Sequence, residues 1–427
     1  MGQFANLGRE AGRGWVRVAV AATLLLAAQA GAEDAPSKSG YEDVPAFGGP
    51  SSTGEMLKED DADKTTWLRA PSLDKALESW FAYKKRLKKE HGLAIGVDYT
   101  GYFLGVNESP GETSAGSGMA RLFGNWSLTG DGEKSNGSIV FKVEHRHRYT
   151  DIPANALGFE AGANTLLAPP FGNQALLLTN LYWQQRNKSG KLNFVAGVVD
   201  ATDYLNIYGL INPWTHFTNF EFSTGTTIAV PNQGLGAAFG AALSENLYVI
   251  GGLADANADP SSPDDMFDSF FSDHEFFTHV ELGWYSSYGR RYFDNVHVTA
   301  WHQDERDGAG VPDSWGVAFS ATKFIDDKIM PFLRAGYSDG GAAIMKTSVT
   351  AGVGFYNPKN SDLLAIGLGW AEPFSGLRDQ YTIEIFYRLQ IAESLALTPD
   401  VQLVIDPSLN PSEDTLFFFG FRLRLTF

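Results

Sequence analysis

From Leu93 to the last residue, apolar and polar positions alternate in short segments separated by Gly, Asn, Asp and Pro. The stretch 139–149 shows the pattern most cleanly. Ile139, Phe141, Val143, His145, His147 and Tyr149 share one face, and Val140, Lys142, Glu144, Arg146 and Arg148 share the other. A wall with lipid outside and water inside requires that arrangement, because lipid offers nothing to a charge. In 176–186, Leu177, Thr179, Leu181 and Trp183 alternate with Asn180, Tyr182, Gln184 and Arg186. In 276–285, Phe276, Thr278, Val280, Leu282 and Trp284 alternate with Phe277, His279, Glu281 and Tyr285. In 381–391, Tyr381, Ile383, Ile385, Tyr387 and Leu389 alternate with Thr382, Glu384, Phe386, Arg388 and Gln390.

Strands are expected near 93–104, 119–129, 137–149, 176–186, 192–199, 234–243, 246–254, 276–285, 295–303, 314–323, 329–337, 346–356, 362–370, 381–391, 395–405 and 415–427. Even strand numbers are the rule for bacterial barrels, and about sixteen strands leave a water-filled channel. The predicted fold is therefore all-β: a transmembrane antiparallel β-barrel over 92–427, with a short N-terminal helix. In the last strand Phe417, Phe419, Phe421, Leu423, Leu425 and Phe427 face one way, and Phe418, Arg422, Arg424 and Thr426 the other. A terminal aromatic on such a strand resembles the signal read by the barrel assembly machinery. It also lets the last strand pair with the first and remove open edges.

The start of the chain has a different character. Arg9, Arg13 and Arg17 precede an apolar run from Val18 to Ala28, followed by Ala28-Gln29-Ala30-Gly31-Ala32, so residues 1–32 read as a signal peptide. Residues 33–71 read as a flexible periplasmic leader with Pro, Gly and the acidic run Glu59-Asp60-Asp61-Asp63. An amphipathic helix is expected over 72–91. Ser72 caps it, Leu73, Leu77, Trp80, Phe81 and Leu87 fall on one face, and Lys84, Lys85, Arg86, Lys88 and Lys89 suit its C-terminal end.

Composition narrows the function classes. The absence of Cys removes disulfide frameworks and Cys-ligated metals. A formal charge of -17 argues against nucleic-acid binding, which needs clustered cations. No G-x-S-x-G, P-loop or H-E-x-x-H motif is present. His145-x-His147 lies on the apolar face without a third ligand, which suits an interfacial aromatic band better than a metal. Asp255-x-Asn257-x-Asp259 opens like a calcium loop, but Pro260 and Met266 replace the required Gly and Glu. No cofactor is expected, and calcium on the acidic loop with Asp264, Asp265, Asp268 and Asp273 is the one alternative.

Two stretches resemble the carbohydrate-selective porin family, the OprB type. The first runs Gly197-Val198-Val199-Asp200-Ala201-Thr202-Asp203-Tyr204, through Phe217-Thr218-Asn219, to Pro231-Asn232-Gln233-Gly234-Leu235-Gly236. The second runs from Leu397-Thr398-Pro399-Asp400-Val401-Gln402 through Asp406-Pro407 to Gly420-Phe421-Arg422-Leu423. The resemblance implies a sixteen-stranded outer-membrane barrel that passes small sugars by diffusion through a narrow eyelet, not an enzyme.

A sugar pathway needs amide, Arg and carboxylate groups for hydroxyls and aromatic faces for C–H edges. Lumen or eyelet candidates are Lys142, Glu144, Arg146, Arg148, Tyr182, Gln184, Arg186, Asp200, Asp203, Glu384, Arg388, Arg422 and Arg424, with Tyr204 and Trp214 in a long loop beside them. For each strand residue the competing role is wall structure, and for Asp200 and Asp203 it is turn formation. The expected partners are outer-membrane lipid and small carbohydrates, and the barrel acts as a monomer or trimer. The rival functions are a general or ion-selective porin, a polysaccharide export barrel, and an outer-membrane hydrolase. Residues 150–174, 200–225 and 255–275 are too long for hairpin turns and are expected outside the cell or folded into the pore.

Overall fold

The structure, a computed structural model, describes residues 48–66, 71–129, 136–187, 191–357, 359–374 and 376–427. The signal-peptide reading of 1–32 and the first part of the leader lie outside the described residues. Sixteen strands follow one another along the chain. They are β1 (Leu93–Val106), β2 (Ser114–Thr129), β3 (Asn136–Arg148), β4 (Ala175–Arg186), β5 (Leu192–Val199), β6 (Gly234–Ala242), β7 (Leu247–Asp255) and β8 (Phe276–Tyr285). The second half comprises β9 (Asn295–Gln303), β10 (Ser314–Thr322), β11 (Ile329–Asp339), β12 (Met345–Tyr356), β13 (Leu363–Pro373), β14 (Gln380–Ala392), β15 (Leu395–Ile405) and β16 (Thr415–Thr426).

Each strand pairs antiparallel with its chain neighbours, and β1 closes on β16 from Asp98↔Thr426 to Val106↔Phe418. Closure leaves no edge, so every strand finds its ladder partners inside the barrel. The final strand shows the sidedness that results. Phe417, Phe419, Phe421 and Leu423 are exposed, whereas Phe418, Gly420, Arg422 and Arg424 are buried. Exposed Leu122, Phe194, Phe239, Leu282, Val298 and Leu368 continue the apolar outer wall.

One strand departs from simple alternation. The β3–β4 register shifts between Lys142↔Asn180 and Val143↔Leu178, which leaves Thr179 as a bulge bonded to the Lys142 carbonyl at 3.2 Å. The bulge corrects the expected face of Leu177. That side chain is buried with the inward set, while Leu176 and Leu181 point out. Pro399 in β15 pairs across to Phe421. The β14 ladder breaks beside it, between Phe386↔Asp400 and Leu389↔Leu397, where proline has no N–H to give.

The buried apolar residues lie within the barrel. A cluster of Met56, Tyr102, Met119, Phe123, Phe171 and Trp214 joins strand residues to inserted segments, and Tyr208, Phe217, Phe222, Phe332 and Phe386 form another. Long loops fold inward at one end of the barrel. The other end has short turns apart from 286–294. Such short turns mark the periplasmic side.

Two helices precede β1: α1 (Thr53–Asp61) and α2 (Pro71–His91). Helix α2 sits against the start of β1, and Lys84 Nζ donates to the Phe427 carbonyl at 3.1 Å. The expectation of a flexible leader over 33–71 is corrected for its ordered part. Residues 48–61 enter the barrel, where Ser51, Ser52, Thr53, Met56 and Leu57 are buried. The cause is charge: the acidic run that reads as a solvated stretch meets arginines on the inner wall.

Gly197 tests the close strand packing. It sits in β5 with φ +137°, and a Cβ there would collide with the Leu181 carbonyl. Gly197→Val should destabilise the barrel by about 1–3 kcal/mol or more. The check is the temperature at which the folded, faster-migrating gel band is lost. An unchanged transition would contradict the register described.

Candidate pore constriction

The 200–233 loop leaves β5 through a turn made by its own side chains. Asp200 accepts from Thr202 N at 3.0 Å and Thr202 Oγ1 at 2.5 Å, and Gln233 Nε2 ties the far end of the loop back to it at 2.9 Å. Asn206 then adopts a left-handed φ of +52°, a conformation Asn tolerates well. Further on, Asn219 caps the short helix Phe220–Ser223 by accepting from Glu221 N.

Between these points the loop is fastened to opposite walls. Glu281 on β8 accepts from Asn206 N at 2.8 Å, and Thr299 on β9 accepts from Asn206 Nδ2 at 3.2 Å. Arg334 on β11 donates to the Phe222 carbonyl at 2.8 Å and to Asn206 Oδ1 at 2.6 Å. Glu384 on β14 accepts from Thr218 N at 2.7 Å and Asn219 N at 2.9 Å. Gln402 on β15 donates to Thr218 Oγ1 at 3.1 Å. Arg422 on β16 donates to the carbonyls of Pro213 at 2.6 Å and His216 at 2.8 Å. Since β8 and β16 lie on opposite sides of the ring, the loop spans the lumen. The 149–174 loop supports it: the Leu166 carbonyl accepts from Phe220 N at 2.8 Å.

Beside the Asp200 turn sits a charged pocket. Lys142 Nζ lies 3.7 Å from Asp203 and 4.0 Å from Asp200, and 5.6 Å from the centre of the Trp214 ring. Arg121 stacks on the same ring at 3.9 Å. Gly48, Tyr182, Val195, Val199, Asp200, Asp203 and Tyr204 line a small cavity here. Burial pushes the Asp203 carboxyl up to about 7. Lys142 opposes that rise, but Asp200 shares the same ammonium and adds to it.

Helix α1 faces the constriction from the periplasmic side. Glu59 pairs with Arg388 at 2.9 Å, Asp60 with Arg424 at 2.8 Å, and Glu55 with Arg291 at 2.7 Å. Ahead of the helix, Tyr292 Oη donates to the Gly48 carbonyl, Gly49 N donates to the Asp203 carbonyl, and Asn212 Nδ2 donates to the Pro50 carbonyl at 2.9 Å.

The expected pathway residues thus divide. Lys142, Asp200 and Asp203 come together with Tyr182, Tyr204 and Trp214. Glu384 and Arg422 hold the loop, whereas Arg388 and Arg424 hold α1. Glu144 is buried and bonded to Arg146 at 2.9 Å. Gln184 is buried on β4, and Arg186 stands at the strand's periplasmic end opposite Asn136. Arg148 is exposed at the loop end and bonded to the Asp151 carbonyl. Asp98, Arg121 and Arg334 were missed. Asp98 accepts from Arg121 Nε at 2.8 Å and Arg424 Nε at 2.9 Å. Each is a lone charge in an apolar, Gly-rich segment, which was the available signal.

Asp255 and Asp259 accept from Asn257 N and Ser261 N, each at 2.9 Å, and so shape their own loop. Among the described residues, one grouping offers three ligand atoms to a metal: His302, Asp304 and Asp313, each of which is partly or fully exposed.

A closed sixteen-stranded barrel with a loop drawn across its lumen is the architecture of an outer-membrane porin. The family model of the carbohydrate-selective porins, OprB family, matches residues 130–427, and the chain belongs to that family. In fold it is similar to the high-pH structure of Pseudomonas putida OprB, with a TM-score of 0.65 at 12% identity over 82% of this chain and 97% of that one. The low-pH structure of the same porin gives a TM-score of 0.50 at 10% identity over 86% of this chain and all of that one. No curated protein sequence matches the chain.

Glu384→Ala removes the acceptor of two buried N–H groups, a loss of about 1–3 kcal/mol for each left unsatisfied. It should raise hydrogen exchange at residues 213–223 and make single-channel currents noisier. Unchanged protection would contradict the fastening role. Asp203 yields a second prediction. A carboxyl raised to about 7 gives full stability below its unfolded value of 3.8, and this is lost as pH rises through 7. Asp203→Asn should therefore match the parent in melting temperature at pH 4 and exceed it at pH 8. No gain at pH 8 would refute the assignment.

Proposed function

We propose that the chain is an outer-membrane porin through which small carbohydrates diffuse passively, with its selectivity set where the 200–233 loop crosses the lumen. The observation that carries the reading is the fastening of that loop to walls on opposite sides of the ring. A loop held at both ends by buried charges makes a fixed eyelet. A porin needs no reacting group; it needs an eyelet that exchanges a solute's water for its own hydrogen bonds. Its family and fold make the protein a channel.

The chemistry around Trp214 suits a sugar. Trp214 supplies an aromatic ring, and Lys142, Asp200 and Asp203 beside it supply donors and acceptors for hydroxyls. Lys142 Nζ and Asp203 Oδ1 are buried, lie 3.7 Å apart and have no closer hydrogen-bond partner among the described residues, so a solute that reached them would meet polar atoms with bonding capacity left over. In this reading Lys142, Asp200, Asp203 and Tyr182 contact solute, while Glu384 and Arg422 position the loop. The C-terminal strand ending in Phe427 serves as the signal for the assembly machinery, and the barrel works as a monomer or trimer.

An acidic-polymer exporter fits less well. It wants an unbroken basic lumen, and Glu144, Glu281 and Glu384 are all buried on the inner wall. Liposome swelling tests the reading against a general or ion-selective porin. Mono- and disaccharides should enter proteoliposomes faster than amino acids and non-carbohydrate organic ions of matched size. Equal rates, or faster entry of the non-carbohydrate ions, would replace it with a general porin.

A further inference from the structure

Helix α1 is acidic where a helix least favours it. It has nine residues and four carboxylates, Glu55, Glu59, Asp60 and Asp61, the last three in its final turn. Carboxylates there face the negative end of the helix dipole. A helix this short does not hold itself in water, and Ser52 makes no capping bond to it. Its form is therefore imposed by its surroundings. Apolar support comes from Met56 and Leu57.

The remaining support is ionic and comes from four separate places. Arg291 lies in the β8–β9 turn, Arg388 on β14, Arg424 on β16 and Lys84 on α2, with Lys84 3.3 Å from Asp61. Arg291 lies 4.3 Å from the Tyr288 ring centre and 4.2 Å from that of Tyr292, so a cation and aromatic faces occur together. At the periplasmic mouth Lys85, Lys88 and Lys89 join Lys84 and Asp61 around a cavity of about 300 Å³. That volume is at the lower end of small-molecule sites.

The contrast with the 200–233 loop is informative. That loop buries Tyr208, Phe217 and Phe222 and has its backbone held by wall charges. Helix α1 has its side-chain carboxylates held instead, and other carboxylates compete for the same cations. Protonation does not release it at physiological pH. Burial alone would raise Glu59, but Arg388, His216, Arg424 and Lys64 together outweigh that and hold it at about 2.

We propose that α1 is a displaceable acidic plug whose carboxylates stand in for anionic carbohydrates, such as hexuronates, on Arg291, Arg388, Arg424 and Lys84. The inference rests on the reading of the chain as a carbohydrate porin. On this account the solute competes with the plug, and the pore favours acidic sugars over neutral ones of the same size once the plug yields.

The experiment compares glucose and glucuronate entry into liposomes holding the full-length protein. Glu59→Gln combined with Asp60→Asn weakens the plug and leaves the wall cations in place. It should raise glucuronate entry roughly tenfold, the effect expected for losing partners of buried charges, and raise glucose entry less. Asp63→Asn, an exposed acid of the same segment, should change neither rate. A glucuronate-to-glucose ratio that does not move, whether both rates rise or neither does, overturns the proposal. Heat-dependent gel mobility checks that the variants fold. If the double variant does not fold, Arg388→Gln decides: it should loosen the plug yet lower the ratio, and a higher ratio overturns the proposal. Exclusion of glucose by the parent and by every variant would instead fail the porin reading itself.

Discussion

Everything in this barrel follows from the fact that lipid cannot hydrogen-bond. The backbone must satisfy itself, so the sheet closes, and β16 with its row of outward phenylalanines pairs back onto β1. The same constraint turns the charges in the middle of the strands inward, while Arg148 and Asp339 at strand ends are exposed. The consequence is a lumen wall rich in Arg, Lys, Asp and Glu. A ring of sixteen strands is too wide for wall side chains to meet across it, so wall charges without a partner on their own or a neighbouring strand need one brought in from elsewhere in the chain.

The 200–233 loop supplies most of them, and it does so mainly with its backbone. Glu384 takes two consecutive N–H groups, Arg422 takes the carbonyls of Pro213 and His216, and Arg334 takes that of Phe222. The charges are satisfied by fixed dipoles rather than by opposite charges, and in turn they satisfy backbone groups a buried loop would otherwise leave unpaired. Wall and loop are therefore each a condition for the other. A buried loop without these charges, or these charges without the loop, would each leave polar groups stranded.

The periodicity made the wall legible, because a period of two with one lipid-facing side has a single solution. The sixteen strands fall close to their expected places, and Arg422 and Arg424 point inward as the alternation of the last strand implies. Leu177 was misread because a one-residue bulge at Thr179 changes parity without changing composition. The role of each inner-wall residue was much less legible. Nothing local distinguishes Glu384, which grips Asn219 in a loop 165 residues away in sequence, from Glu144, which pairs with Arg146 on its own strand. The acidic run at 59–61 was visible as a charge pattern, but the partners of Glu59 and Asp60 sit more than three hundred residues later, on β14 and β16. Arg121 and Arg334, single charges in apolar strands, were the signals passed over.

Net charge illustrates the same separation of pattern from role. The chain is acidic overall, yet its charge balance does not describe the lumen. Glu281 and Glu384 have their charges taken up by loop N–H groups and by hydroxyls, and Asp98 is shared between Arg121 and Arg424. What remains to face a mobile element is largely cationic: Arg388, Arg291 and Lys84, all engaged by α1. The field a solute meets is therefore set by which charges the fixed loop has already occupied. The residual sign is positive because the loop engages the wall's acids through its N–H groups, while several of the wall's cations are left to a short helix.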